Sequence, residues 1–263
     1  MTDFLETVIA ERRADAQAAR RMTEHATRSG VPRPSFSDAI RAKRATGRVA
    51  VIAEVKRRSP ALGDLATDID AVTLACAFAE AGAAAISILT EPRHWGGSVA
   101  DLAAVAAAVR IPVLYKDIVV DEHQLAEAEA AGASAVLLIA EALDDPTLAA
   151  FVARATALGM TALVEAHEHR AFVRAVASGA AVVGVNARDL RAPAEIDPER
   201  IEALHQLARS GQLLVAESGI ATPADIERLP GRVDAVLVGT ALMRAPDPSA
   251  LLRSLVDAGR SRV

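Results

Sequence analysis

Eight short apolar runs, separated by longer stretches of helical period, constrain this chain more than any other feature. VAVIAEV, AAISILT, PVLYKDI, SAVLLIA, TALVEA, AVVGVN, LLVAES and DAVLVG follow one another from Val49 onward. Their ends fall near Lys56, Leu89, Lys116, Ile139, Glu165, Asn186, Glu217 and Val238, at intervals of 21 to 33 residues. Each interval holds one helix and two turns, and strand–helix–strand repetition demands parallel pairing. Runs that stay apolar on both alternating faces are strands covered on both sides, as in a parallel sheet under helices. Eight such units predict an α/β chain closed into a single (β/α)8 TIM barrel, which takes about 250 residues; this chain has 263. An open doubly wound sheet competes, but neither GxGxxG nor GxxxxGKS/T occurs.

Between the runs the pattern predicts helices over Ser98 to Val109, Asp121 to Ala131, Asp145 to Leu158, Glu168 to Ser178 and Asp197 to Ala208. Ser98, Asp121, Asp145, Asp197 and Thr222 are the candidate N-caps. The phrase AGA at Ala81 to Ala83 and Ala131 to Ala133 puts a glycine at a helix stop just before a strand. Residues 1–47 carry a charged helical pattern, the turn-rich VPRPS at Val31 to Ser35 and a second short helix. They are expected to form a helical extension packed on a barrel of residues 48–263, the whole being one domain.

Composition excludes several classes. Hydrophobic residues make up 52% and aromatics 3%, an aliphatic mixture that suits helices on parallel strands and gives ample core. A net charge of -5 offers no basic field for nucleic acid, though a small anion needs only a local pocket. Cys76 stands alone, so an internal disulfide or cysteine metal cluster is excluded, and a small core residue is expected. The first twenty residues mix acids with arginines and lack an apolar signal core, and no uncharged apolar stretch approaches the about 20 residues of a membrane helix. A cytoplasmic protein, monomeric and without membrane or nucleic-acid partners, is the expectation.

Barrel sites are built at the carboxyl ends of the strands. There the first run carries Glu54, Lys56 and then Ser59, the third Lys116-Asp117, the fifth Glu165, the sixth Asn186 and Arg188, and the seventh Glu217. A core would not choose these residues. Glu54 and Lys56 are two apart, so on a strand they share a face. Ser218-Gly219 and Gly239-Thr240 follow the seventh and eighth strands, where many barrels cradle a phosphate on backbone N–H groups and a hydroxyl. The alternative reading is that the charges are solvated and the glycines merely turn. His167-Glu168-His169 suggests a metal pair, but no other run ends in histidine, and the expectation is two surface-helix histidines and no metal.

Taken together, VIAEVKRRSPALG at Val51 to Gly63, SILTEPRHWGGS at Ser87 to Ser98 and PVLYKDIVVD resemble the IAEVKxxSPSxG, SVLTExxxFxGS and PVLRKDFIID segments of the indole-3-glycerol phosphate synthase family. LVEAHE, VGVNARDL, VAESGI and VLVGTALMRA match its remaining segments in order. The resemblance implies closure of an indole ring from 1-(2-carboxyphenylamino)-1-deoxyribulose 5-phosphate, with loss of carbon dioxide and water, in tryptophan biosynthesis, and needs no cofactor. It implies catalytic roles for Glu54, Lys56, Lys116, Glu165 and Asn186. It implies substrate contacts at Ser59, Trp95, Ile118, Arg188 and Glu217, and phosphate binding by Lys56, Ser218, Gly219, Gly239 and Thr240.

Three positions depart from the family pattern. Trp95 stands where Phe is usual, Tyr115 replaces Arg, and Ile118 replaces a Phe of the aromatic pocket. By alternation Tyr115 should point away from Lys116 toward the helices. Ile118 leaves open a paralogue that takes a substituted anthranilate. A non-catalytic phosphosugar-binding barrel is the other alternative, although it would be expected to lose the lysines or glutamates that this chain keeps.

Overall fold

The computed structural model describes residues 3–20 and 33–258. Its barrel strands are β1 (Ala50–Val55), β2 (Ala85–Leu89), β3 (Val113–Lys116), β4 (Ala135–Ile139), β5 (Thr161–Ala166), β6 (Val182–Asn186), β7 (Leu213–Glu217) and β8 (Ala235–Val238). All eight pair in parallel with their sequence neighbours, and β1 closes the ring on β8 with Ala50 opposite Ala235. The strand ends agree with the apolar runs except that β1 stops at Val55, one residue early, and β5 runs one residue past Glu165. β2, β4 and β6 are buried at every position, because one face fills the barrel and the other meets the helices.

The helices that cover the sheet are α3 (Ala71–Glu80), α4 (Val99–Ala108), α5 (Glu122–Ala130), α6 (Asp145–Ala157), α7 (His169–Ala177), α8 (Glu199–Leu204), α9 (Pro223–Arg228), α10 (Thr240–Arg244) and α11 (Pro248–Ala258). Ser98 and Asp121 cap α4 and α5 as expected, and Thr222 begins a capping box with Asp225. Asp145, in contrast, is the first residue of α6, and the cap is Asp144, whose carboxylate accepts the Thr147 N–H at 2.9 Å. The helix expected from Asp197 is shorter: α8 starts at Glu199 behind Pro198 and passes into a 3-10 turn at His205–Leu207. Gly82 and Gly132 stop α3 and α5 at φ of 100° and 88°, a conformation that a side chain resists. Cys76 is half-buried on the flank of α3 instead of lying in the core.

Ahead of the barrel, α1 (Phe4–Arg20) and α2 (Phe36–Arg44) pack on it as the extension was expected to, while Val31 and Pro32 of the expected turn lie outside the described residues. Phe36 and Ile40 of α2 are wholly buried against β1 and β7. α1 buries Leu5 and Val8, and also Arg12. The Arg12 guanidinium forks onto Asp117, with Nε and Nη2 donating at 2.8 and 2.9 Å. Asp117 accepts as well from the Thr90 hydroxyl and the Ile118 N–H. Burial raises the Asp117 carboxyl to about 6, against the pull of Arg12 and its other donors.

Because Asp117 titrates near 6 when folded and near 3.8 by default, the native state takes up its proton first. Its contribution to stability therefore declines as pH rises between those values and levels off above them. Asp117→Asn should flatten that part of the curve of unfolding free energy against pH. Arg12→Met leaves the carboxylate buried without a counterion and should cost about 3 kcal/mol at neutral pH, with partial recovery when combined with Asp117→Asn. Chemical denaturation of the three variants checks both expectations.

Candidate active site

At the carboxyl end of the barrel the strand termini converge on one cleft with two lobes. The first is lined by Glu54, Lys56, Ser59, Trp95, Lys116, Ile118, Glu165, Asn186, Arg188, Glu217 and Ser218. The second lies over β7 and β8, where Ser218, Gly219, Gly239 and Thr240 surround it. Glu54, Lys56, Arg188 and Ser218 border both lobes. Every residue to which the family resemblance gave a catalytic, substrate-binding or phosphate-binding role thus lines this cleft.

Alternation places Glu54 and Lys56 on one face, and the Lys56 ammonium lies 2.9 Å from Glu54 Oε1. Across the mouth, Lys116 Nζ lies 3.4 Å from Glu165 Oε2 and 3.7 Å from Glu217 Oε2. Burial pulls the Lys116 ammonium down, but Glu165, Glu217 and Glu54 outweigh it and hold it above the ordinary lysine value. Burial likewise pushes Glu165 up, yet Lys116, Glu217 and the Asn186 amide, which donates to Oε1 at 3.0 Å, bring it below its usual value. Glu217 goes the other way: burial, and then the negative charge of Glu165, raise it well above the carboxylate range. The two acids are thus driven apart: the carboxylate form is favoured at Glu165 beside the Lys116 ammonium, and the protonated form at Glu217.

Two glycines make room for this cluster. A Cβ on Gly184 of β6 would stand 2.3 Å from Glu217 Oε1, and one on Gly239 would stand 2.2 Å from Glu54 Oε1. Gly239 is thus glycine because the Glu54 carboxylate lies over its Cα, a reason the loop-turn and phosphate readings had not supplied. After Glu217, Ser218 and Gly219 take φ of 66° and 76°; for Ser218 this left-handed backbone is strained, as loops at functional sites can be.

Sequence reasoning missed Glu91. It is fully buried, and its carboxylate accepts the N–H groups of Arg93, His94 and Trp95 at 2.9, 2.7 and 3.1 Å. That carboxylate shapes the loop presenting Trp95, whose ring meets Phe4 of α1 edge-on at 5.9 Å. An acid two residues past a strand end was the only trace of it in the sequence. Tyr115 points to the helices as alternation predicts, with its hydroxyl donating to Glu127 at 2.9 Å. His167 corrects the surface reading: it is buried in the turn before α7, while His169 begins that helix exposed. Among the described residues no group of three or more His, Cys, Asp or Glu is placed to hold a metal ion.

The fold and the cleft define a (β/α)8-barrel enzyme with buried carboxylates and lysines gathered at the carboxyl ends of its strands. A sequence profile described as "Indole-3-glycerol phosphate synthase" matches residues 5–255, and the chain belongs to the indole-3-glycerol phosphate synthase family. An indole-3-glycerol phosphate synthase of Parafrankia sp. (strain EAN1pec) is 48% identical over 258 residues, covering 97% of this chain and 96% of that one. One of Nocardioides sp. (strain ATCC BAA-499 / JS614) is 52% identical over 206 residues, or 78% of this chain and 79% of the relative. Among solved structures, a tryptophan synthase chain from M. tuberculosis superposes with a TM-score of 0.65 at 16% identity, covering 86% of this chain and 99% of that one. A 3-hexulose-6-phosphate synthase gives 0.62 at 24%, covering 80% and 99%. At such identities these two structures speak for the barrel alone.

Glu217→Gln mimics a protonated carboxyl and should keep kcat within about tenfold, whereas Glu165→Gln removes an ionised group and should lower it at least about 100-fold. With Glu165 lowered and Lys116 raised in the ligand-free protein, neither of these two groups should set a limb of the kcat/KM profile between about pH 5 and about pH 10. A pH–rate series on the parent and both variants reads this out.

Proposed function

We propose that this chain converts 1-(2-carboxyphenylamino)-1-deoxyribulose 5-phosphate into indole-3-glycerol phosphate. The observation that carries the reading is Lys116, an ammonium held charged between Glu165 and Glu217 in the lobe that also contains Ile118 and Trp95. In ring closure the aromatic carbon bearing the carboxylate attacks the ketone. The new C–C bond drives electrons onto the ketone oxygen, which takes a proton from Lys116. Carbon dioxide leaves, and its bonding electrons restore the aromatic ring. The nitrogen lone pair then expels the hydroxyl, which departs as water once an acid protonates it. Glu165, the ionised carboxylate of the cluster, takes the neighbouring C–H proton and completes the indole. Glu54 lies where it can offset positive charge on the nitrogen while holding Lys56 at the waist of the cleft.

Binding divides between the lobes. Ser59, Trp95 and Ile118 face the aromatic end, and Ser218, Gly219, Gly239 and Thr240 with Lys56 take the phosphate. Arg188 fits an anion well: its guanidinium forms no ion pair among the described residues, and burial lowers its pKa. The chemistry calls for no redox group or metal, and the substrate is a free phosphosugar derivative. We take the single-domain, monomeric cytoplasmic form as the working state, which the absence of any membrane-length apolar helix among the described residues accommodates.

Incubating the pure protein with this substrate should generate indole fluorescence; none at any enzyme concentration would sink the proposal. Lys116→Met keeps the aliphatic bulk but loses proton and charge, so kcat should fall by about 100- to 10,000-fold with substrate still bound. A loss under about tenfold with normal unfolding would remove this lysine from the mechanism, because that is only ~1.4 kcal/mol of barrier. Thr240→Ala should raise KM with kcat nearly unchanged, since a phosphate contact persists from ground state to transition state. Steady-state kinetics distinguishes the two.

A further inference from the structure

His167 is the one wholly buried imidazole near the cleft, among the described residues, that the reaction does not use. It follows β5 by one residue, and its ring lies between carboxylates from the loops on either side. Nδ1 is 3.1 Å from Glu141 Oε1, in the turn after β4, and Nε2 is 3.2 Å from Asp189 Oδ1, in the loop after β6. Neither ring nitrogen completes a hydrogen bond, so each contact is a close approach of a ring nitrogen to a carboxylate oxygen. The two ends differ in what else holds them. Glu141 already accepts the N–H groups of His167 and Glu168 at 2.8 and 3.1 Å, so its side is fixed by backbone. Asp189 is held by the Arg191 N–H and guanidinium of its own loop, and beyond that loop by the His167 ring.

That loop begins with Arg188, which adjoins Asp189. The Arg188 N–H donates to Asn186 Oδ1 at 2.9 Å, and Asn186 in turn donates to Glu165. The start of the loop is therefore tied to the cleft through Asn186 on one side and through Asp189 to His167 on the other. We propose that His167 is a positioning residue: through Asp189 it sets where Arg188 stands relative to Glu165, and so how tightly the substrate's anionic end is held. The proposal rests on the functional reading above for its consequence, but the loop contact itself does not.

Gln at 167 reaches about as far as Nε2 and can donate to Asp189; Asn reaches only as far as Nδ1. In His167→Asn, amide hydrogen exchange over residues 187–191 should quicken, and KM should rise about tenfold with kcat within about threefold, as expected when a binding group is displaced but the reacting groups are not. His167→Gln should resemble the parent in both measurements. A merely structural role would make the two variants alike, because both lose the same buried ring, so equal exchange in Asn and Gln variants overturns the proposal. Should His167→Asn fail to fold, Asp189→Asn breaks the same contact from the other side and is expected to show the same exchange and KM changes; parent-like values there also overturn it. Exchange is read without ligand, so a parent that fails to turn over the substrate would refute the functional reading while leaving this test intact.

Discussion

The charge on Lys116 is what the rest of the molecule accommodates. An ammonium taken out of water is costly unless carboxylates surround it, and a group of carboxylates is costly unless one gives up its charge. Three strands answer these demands together: β5 supplies Glu165, held toward its ionised form, β7 supplies Glu217, held toward its neutral form, and β1 supplies Glu54. Parallel pairing brings their carboxyl ends to one rim, so the chemistry depends on closure of the barrel as much as on any single residue.

The rim is also held from outside. Asp117, next in sequence to Lys116, is fixed by Arg12, while Arg93 and His94, beside Trp95, pair with Asp15 and Glu11 of the same helix. The leading helix thus reaches both the end of the strand that carries Lys116 and the loop that carries Trp95. Its charged surface pattern, unremarkable in sequence, follows from the rim it serves.

Strand ends were legible in the sequence because each apolar run is buried on both faces and stops where a charged or amide side chain enters the mouth; Lys116, Asn186 and Glu217 each close their strands as read. What escaped reading depends on contacts that neither period nor motif records. His167 looked like a surface histidine because its helix starts two residues later, and only Glu141 and Asp189 make its burial tolerable. Glu91 lacked any periodic pattern, since its partners are three backbone amides of its own loop. Helix α8 came out short because it starts only behind Pro198 and tightens into a 3-10 turn after Leu204, a change of pitch that a helical period cannot register. The family resemblance supplied roles for residues, while alternation and strand position alone supplied only where they lie.

Gly184 and Gly239 bear on how such a barrel can change. Each yields its own slot in the interior layer to a carboxylate from the adjoining strand, Glu217 in one case and Glu54 in the other. Neither member of such a pair can be replaced freely: a side chain at the glycine collides with the acid, and a smaller residue at the acid opens a void beside bare backbone. The two positions, 33 residues apart for one pair and 185 for the other, amount to a single packing unit split across the chain. Divergence at this rim is therefore paced by paired substitutions, and the order in which the two occur decides whether the intermediate is overpacked or hollow.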